Sequence, residues 1–405
     1  MINRRSLMAS AGIAALMGLA TGSAKADVTW GKINGLNRID PNLLSPEYRE
    51  KHSIRLPKLD DESAENFIIG FRHWMQTELS PVVRMSTEKF LAAQGIAPDK
   101  DLGFADSFTT LLGDRLYALQ TRLVRTAQSL MWDGVIRPYH READKYLALL
   151  EQSDKTGPGS VELNPDMHIP EYARYEYHTQ PGGYVGDPFA GFIYIHGVKA
   201  FHDDQNSHEE MQWALAESHP TPSDGKVRRV LDIASGTGQS TTAVKERFPA
   251  AEVWGIDVSG PMVRYAHYRA AQLGLDVHFA QRLAEDNKFP DGYFDMVTGH
   301  ILFHEVPSDQ AKKVVAEIHR VLRPGGVWHH MDVGNWKHPR VPPPTTIAEK
   351  ASVYSDHRYN VEPWTLQYRG SDFPGVLAQA GFTVDMDAPA TRWGLYPGLI
   401  ATKTA

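Results

Sequence analysis

The spacing of apolar residues changes along this chain, and the change divides it into parts. Over residues 62–152 apolar residues recur every three to four positions, which predicts amphipathic helices. The pattern predicts one helix over 81–95, one long helix over 104–134 and a further helix that begins at Pro138. We therefore expect a helical domain over residues 27–152, whose apolar stripes form its own core or a homodimer surface.

After Val227 the pattern changes to short apolar runs that alternate with helical stretches. Runs such as VLDIA, VWGID and DMVTG are typical of buried strands, and a helical stretch follows most of them. This alternation predicts an α/β fold over residues 227–405, with a parallel sheet covered by helices. The last two runs are expected to close as a hairpin. The long segment 335–364 is expected to be a loop that either forms a ligand pocket or joins the helical domain to the sheet.

Residues 153–226 connect the two parts. The stretch SDKTGPGS has the composition of a linker, and a segment rich in Tyr and His and interrupted by Gly and Pro follows it. We expect this segment to act as a lid or pocket wall. Its histidines match no metal-ligand spacing, so no metal site is expected at His168, His178, His196, His202 or His208.

The first 26 residues have the three parts of an export signal. Arg4 and Arg5 precede an apolar run over residues 7–20, and small residues at Ala24 and Ala26 predict cleavage before the next residue. The paired arginines resemble a twin-arginine signal, which predicts a periplasmic protein, or a cytoplasmic one if the signal is not used. Since a membrane span needs about 20 apolar residues, no stable span is expected after cleavage.

Composition narrows the classes of function. The chain has 405 residues, enough for two domains, and 42% of them are hydrophobic, which supports a packed core. Its net charge is −7 and becomes more negative if the basic leader is removed, which argues against a nucleic-acid partner. The chain has no Cys, so disulfides, thiolate metal ligands and thiol nucleophiles are excluded within it.

Residues that suit a small ligand follow the first two strands of the α/β part. In such sheets ligands bind beyond the carboxyl ends of the strands. Gly236 and Gly238 let the backbone approach a ligand closely, and Asp257 can accept the hydroxyls of a ribose. Dinucleotide-binding enzymes use the same devices, but GTGQST lacks their third Gly. Asp232 would also repel a pyrophosphate, whereas it suits a cationic ligand.

Four motifs in this order, VLDIASGTGQST, WGIDVS, AEDNKFPDGYFDMV and EIHRVLRPGGV, resemble those of class I S-adenosylmethionine-dependent methyltransferases. The resemblance implies a Rossmann-like sheet of seven strands, the last antiparallel, and S-adenosylmethionine as cofactor. It implies that Asp232 and the loop that contains Ala234, Gly236 and Gly238 hold the methionine part, and that Asp257 holds the ribose.

This chain departs from the family pattern at the expected adenine contact. The family commonly has an Asp where this chain has Leu283. We expect the backbone of Ala284, or the side chain of Glu285 or Asp286, to replace it.

The stretch GHILFHEVPSDQ is similar to a segment of small-molecule O-methyltransferases in which a His is the general base. The matching residue is His304, Glu305 stands at the acidic neighbour, and Val306 replaces the family's Trp. A His with a pKa near neutral can take the proton that a hydroxyl loses on methylation. His300 lies nearer the strand end, where a contact to the cofactor or the pocket wall is expected.

The sequence therefore predicts a methyltransferase that O-methylates a small hydroxylated molecule, with an aromatic acceptor suited to the many Tyr and Trp residues. The alternative is an exported small-molecule-binding protein that kept the fold without turnover. Export motivates this alternative, because S-adenosylmethionine is made in the cytoplasm.

Overall fold

A computed structural model of the chain describes residues 43–202, 206–386 and 398–404. The predicted signal peptide and the start of the predicted helical domain lie outside these residues. The strands are β1 Ser160–Glu162, β2 Arg229–Ile233, β3 Glu252–Asp257, β4 His278–Gln281, β5 Phe294–His300, β6 Leu322–Met331, β7 Phe382–Asp385 and β8 Gly398–Lys403.

These strands form one sheet in the order β1-β4-β3-β2-β5-β6-β8-β7. Strands β1 to β6 run parallel to one another, and β8 runs antiparallel to both β6 and β7. The predicted α/β fold, its antiparallel last strand and the final hairpin are confirmed. Chain order reverses between β2 and β5, so the carboxyl ends of these strands open the crevice in which such sheets bind ligands.

The sheet has eight strands rather than the seven expected. The extra strand, β1, comprises only three residues and pairs with β4 at the sheet edge, where Ser160 Oγ lies 2.9 Å from Nδ1 of His278. Its sequence lies next to a stretch with linker composition, and three residues carry too little periodicity to indicate a strand.

The helices are α1 Pro46–Lys51, α2 Leu59–Trp74, α3 Ser80–Ala93, α4 Phe104–Leu111, α5 Arg115–Arg141, α6 Ala143–Ser153, α7 Ala190–Phe201, α8 Glu210–Ser218, α9 Gln239–Arg247, α10 Gly260–Gln272, α11 Ser308–Val321, α12 Ile347–Tyr359, α13 Thr365–Gly370 and α14 Phe373–Gln379. A π-helical turn, Met75–Leu79, joins α2 to α3. No helix among the described residues combines the length and apolar character needed to cross a bilayer.

The prediction of one helix over 104–134 is wrong. The helix ends at Leu111, and a new one begins after Asp114, whose carboxylate accepts a hydrogen bond from the amide of Leu116. Such N-capping makes Asp a start signal for a helix. Pro138 does not begin a helix either, since it lies inside the last turn of α5, where its missing N–H costs the helix one backbone hydrogen bond.

The segment 335–364 is not the loop that was expected. It contains α12, which begins with a capping box between Thr346 and Glu349. Ile347 and Ala351 of this helix are fully buried against Phe108 and Leu111 of α4. This part of the segment therefore joins the N-terminal helices to the sheet.

The apolar core follows the sheet. Strand β5 is buried along its length up to His300, and its neighbours β2 and β6 supply the large side chains Leu231, Ile233 and Trp328. The N-terminal helices share a second core with α7 and with Tyr265 of α10. They thus cover the edge of the sheet at which its ligand crevice opens.

Candidate active site

The loop after β2 is a tight turn in which three residues have positive φ. Ala234, Gly236 and Gly238 have φ of 52°, 50° and 76°. The amide of Gly236 donates to Oδ2 of Asp257 at 3.0 Å, and the amide of Ser259 donates to Oδ1 of the same carboxylate at 2.8 Å. Asp257 is therefore oriented by the loop that it faces.

The two glycines serve different purposes. A Cβ at Gly238 would lie 2.7 Å from Cβ of Ala266 and 2.9 Å from the ring of Phe279, so this position needs glycine for packing. A Cβ at Gly236 would meet no atom within 4 Å. Gly236 thus borders open space on the cavity side of the loop.

Asp232 and Asp257 are carboxylates in a buried crevice. Asp232 accepts a hydrogen bond of 2.6 Å from Oγ1 of Thr241. Burial raises the pKa of Asp232 to about 7, and the nearby Asp257 adds to this rise. Burial likewise raises the pKa of Asp257 to about 6, although the amides of Ser259 and Gly236 oppose the rise. A ligand that brings a positive charge or hydroxyl donors would favour both ionised forms.

The loop offers polar atoms that the protein itself leaves unused. Oγ of Ser235 and Nε2 of Gln239 are buried and have no hydrogen-bond partner among the described residues. Such atoms cost free energy unless a ligand or water satisfies them. Together with the open side of Gly236 and the two acids, they fit S-adenosylmethionine, which carries an amino group, a carboxylate, a sulfonium and ribose hydroxyls.

At the expected adenine end the structure distinguishes between the candidates. Asp286 is exposed and pairs with Lys288. Glu285 accepts a hydrogen bond of 2.7 Å from the hydroxyl of Tyr172, and its second oxygen is buried without a partner among the described residues. Neither Ala284 nor Glu285 lines the cavity, whereas Tyr172 does. Of the two acidic candidates, Glu285 is thus the one held next to the cavity, through its hydrogen bond with Tyr172.

His304 is held by a carboxylate that the sequence analysis did not single out. Its Nδ1 lies 2.6 Å from Oδ1 of Asp332, and Oδ2 of Asp332 accepts the amides of Leu302 and Phe303 at 3.1 and 2.7 Å. The carboxylate therefore fixes the ring and keeps a proton on Nδ1. Nε2 of His304 has no partner among the described residues, and the side chain lines the cavity.

The pKa of His304 differs from the near-neutral value that was expected. Burial opposes the charged form, but the adjacent Asp332 outweighs it and raises the pKa of His304 to about 9. At pH 7 the neutral ring is then a minor form, on the order of 1% of the molecules. For His300, by contrast, burial disfavours the charged form more than the nearby Asp332 favours it. The pKa of His300 therefore falls to about 3, and its ring is neutral at pH 7.

These groups face one cavity of about 1190 Å³. It extends from the glycine loop past His300, His304 and Glu305 to the inner surfaces of α5 and α12. Asp232, Ala234, Gly236 and Asp257 also line it. From the Tyr- and His-rich segment the lining includes Tyr177, His178 and Tyr184. Most of the residues expected to bind the cofactor or the acceptor therefore line one continuous space.

Sequence reasoning did not single out Asp332 and Glu362. Asp332 could have been found, since it directly follows β6, next to the strand that leads to His304, in the motif HHMD. Glu362 carries no such signal, because it lies in an irregular segment far from the motifs along the chain. Tyr172 and His178 belong to the Tyr- and His-rich segment that is expected to form a pocket wall, and both line the cavity.

Comparison with known proteins agrees with this arrangement. Residues 230–326 match a family described as methyltransferase domain. An uncharacterized methyltransferase from Synechocystis is 31% identical over 160 residues, which are 39% of this chain and 68% of the relative. The chain belongs to the class I S-adenosylmethionine-dependent methyltransferases. S-adenosylmethionine is accordingly its cofactor, and the predicted family and cofactor are confirmed.

This methyltransferase is also similar to two further proteins. A ubiquinone/menaquinone biosynthesis C-methyltransferase from Bordetella avium is 34% identical over 137 residues, 34% of this chain and 49% of the relative. The solved structure of an O-methyltransferase family protein from Burkholderia thailandensis is 19% identical, with 58% and 67% of the two chains covered and a TM-score of 0.41. The chain spans between 44% and 68% of the length of the first curated relatives it matches.

Proposed function

We propose that this methyltransferase O-methylates a small hydroxylated aromatic molecule, with His304 as the general base. The observation that supports this most directly is the His304–Asp332 pair. Nε2 of His304 has no partner among the described residues, and the side chain lines the same cavity as the glycine loop and Asp257. A base and a cofactor loop on one cavity can bring donor and acceptor together, which is the main requirement of a methyl transfer.

The residues of the chain have separable tasks in this reaction. When bound, S-adenosylmethionine supplies an activated methyl group, so the protein need only position the acceptor and remove its proton. Asp332 holds the ring of His304 so that the neutral form has its lone pair on Nε2, where it accepts the hydroxyl proton of the acceptor. The same carboxylate then stabilises the imidazolium that forms.

The walls of the cavity favour an aromatic acceptor. Tyr177 and Tyr184 stack with ring centroids 5.5 Å apart, and Tyr184 meets Tyr194 edge to face at 5.2 Å. Rings in such arrangements form a rigid surface against which a flat molecule can pack. Glu305 accepts a hydrogen bond of 3.2 Å from the hydroxyl of Tyr184, which places this carboxylate beside the aromatic surface.

Methylation of a ring carbon is the second candidate, because the Bordetella relative is named a C-methyltransferase. The same base would serve it, since removing the proton of a phenolic hydroxyl raises the electron density on the ring carbons beside it. The two candidates thus differ in the acceptor atom and share the role of His304.

The test is transfer of an isotopically labelled methyl group from S-adenosylmethionine to a panel of phenols, catechols and hydroquinones. We expect a labelled product whose fragmentation places the methyl on oxygen, and loss of at least about 100-fold in rate for His304→Gln. His168→Gln, at an exposed position outside the cavity lining, is the matched control. Methyl on carbon would favour the second candidate. Tight cofactor binding without any transfer would favour the non-catalytic binding protein.

We also propose export by the twin-arginine route, on the basis of the leader. Fractionation of cells that produce the full chain tests it. Mature protein that begins at Asp27 in the periplasm supports export, and full-length protein in the cytosol contradicts it.

A further inference from the structure

His178 has a backbone conformation that its surroundings must enforce. His178 and Thr179 both have positive φ, 54° and 58°, which is costly for residues other than glycine. The carbonyl of His178 accepts hydrogen bonds from Nε2 of Gln128 at 2.6 Å and Nε1 of Trp132 at 2.8 Å. Its amide donates to the carbonyl of Asn360 at 2.8 Å. Helix α5 and the segment after α12 therefore hold this residue in place.

The ring of His178 lies between two carboxylates. Its Nε2 is 3.4 Å from Oε1 of Glu305, and its Nδ1 is 3.5 Å from Oε1 of Glu362. The side-chain amide of Asn360 donates to Nδ1 at 2.9 Å and to Glu362 at 2.7 Å. Its oxygen accepts from Gln128 at 2.7 Å. The ring thus has a defined orientation and directs Nε2 toward Glu305.

Each carboxylate of this group has one oxygen that can still accept a hydrogen bond from a ligand. The second oxygens of Glu305 and Glu362 have no hydrogen-bond partner among the described residues, and both side chains line the cavity. The side chain of Glu362 is only 10% exposed and that of Glu305 15%. Buried carboxylates with an open oxygen are expensive unless a donor reaches them.

The other charged side chains that line the cavity have contacts of their own among the described residues. His304 is matched by its own carboxylate, Asp332. Arg369 acts on Asp356, whose pKa burial and Glu362 raise to about 7. Arg72 and Arg125 lie over aromatic rings, 5.7 and 4.4 Å from the centroids. Both ion pairs of the two glutamates are made with His178, so among the described residues two carboxylates share one imidazole.

We propose that His178, Glu305 and Glu362 form a recognition site for a protonated amine on the methyl acceptor, separate from the hydroxyl that His304 deprotonates. The inference rests on the proposed function and specifies its substrate class as aminated phenols. A neutral hydroxyl would donate a hydrogen bond to the same oxygens with less gain. A carboxylate on the acceptor would meet two like charges and be rejected.

Three probes with the same ring test this proposal: tyramine, 4-ethylphenol and 4-hydroxyphenylacetate. They place an ammonium, a methyl or a carboxylate at the end opposite a phenolic hydroxyl. Their dissociation constants are measured by titration calorimetry on the full chain saturated with S-adenosylhomocysteine, so that no turnover interferes. We expect tyramine to bind about tenfold more tightly than 4-ethylphenol, since a charged hydrogen bond to a buried carboxylate is worth that much, and 4-hydroxyphenylacetate to bind most weakly.

Variants separate recognition from folding. In Glu362→Gln, which keeps an acceptor for Asn360, the preference for tyramine over 4-ethylphenol should fall to less than about threefold. The same measurement on Glu305→Gln provides a second, independent test. His168→Gln should retain the full preference. Equal affinities for the three probes, tightest binding of the carboxylate, or no binding of any probe at millimolar concentration would overturn the proposal. Transfer to these phenols without the preference would leave the proposed function standing, whereas absence of S-adenosylhomocysteine binding would refute the proposed function itself.

Discussion

Replacement of Asp332 by Asn is expected to lower the pKa of His304 from about 9 to below its ordinary value of 6.5. The carboxylate at 2.6 Å from Nδ1 is the main group that stabilises the imidazolium, and burial by itself acts in the opposite direction. A pKa unit corresponds to about 1.4 kcal/mol, so the difference between 9 and 6.5 corresponds to about 3 kcal/mol of interaction.

The pH dependence of stability follows from the sign of this difference. The folded protein binds the proton of His304 more tightly than the unfolded chain does. The stabilisation of about 3 kcal/mol is therefore fully present below pH 6.5 and is lost as the pH rises through about 9. The stability of the Asp332→Asn variant should not fall in this way as the pH rises. It should also be less stable at pH 6.5, because its amide presents hydrogens where Asp332 accepts backbone amides.

Two measurements check this prediction. Nuclear magnetic resonance titration of the histidine ring protons, with the signal of His304 assigned from His304→Gln, should give a pKa near 9 in the native chain and below 6.5 in the variant. Urea unfolding at pH 6.5 and 9.5 should show the difference in stability. Asp99→Asn, an exposed position, is the matched control. A native His304 that titrates near 6.5, or a pKa that the Asp332 variant leaves unchanged, would refute the reasoning.

Three further outcomes are expected. The affinity for S-adenosylmethionine should fall as the pH drops below about 7 and then below about 6, since Asp232 and Asp257 accept hydrogen bonds best when ionised, and titration calorimetry across this range measures it. Gly238→Ala should destabilise the fold by about 2 kcal/mol or more in urea unfolding, because its methyl group would lie 2.7 Å from the neighbouring helix, whereas Gly236→Ala should cost about 1 kcal/mol for its φ of 50° and mainly weaken cofactor binding. Glu285→Ala should weaken S-adenosylhomocysteine binding about tenfold by calorimetry, since it removes a buried carboxylate oxygen that has no partner among the described residues.

Each of these outcomes has a result that would contradict it. Affinity that does not change between pH 5 and 8 would remove the two acids from the cofactor site. Equal stability of the two glycine variants would contradict the packing argument. An unchanged affinity in the Glu285 variant would assign the adenine contact to backbone atoms instead.

The sequence by itself determined the sheet and the loops that follow its strands. Buried parallel strands appear in the sequence as short apolar runs, and the glycine and acidic residues at their carboxyl ends follow them directly along the chain. VLDIASGTG and WGIDVS could therefore be interpreted without a structure. The same locality explains the errors. The start of α5 at Asp114 and the three-residue strand β1 depend on one side chain or on a distant partner, and neither produces a period.

Tertiary structure alone decided how the acceptor end of the cavity is built. Asn360 is 182 residues from His178 along the chain, and the carboxylate of Asp332 is 28 residues from the imidazole it holds. The pKa of His304 illustrates the physical reason. A histidine in a motif has an ordinary pKa until burial and a neighbour act on it, and both are properties of the folded chain rather than of the spacing of residues.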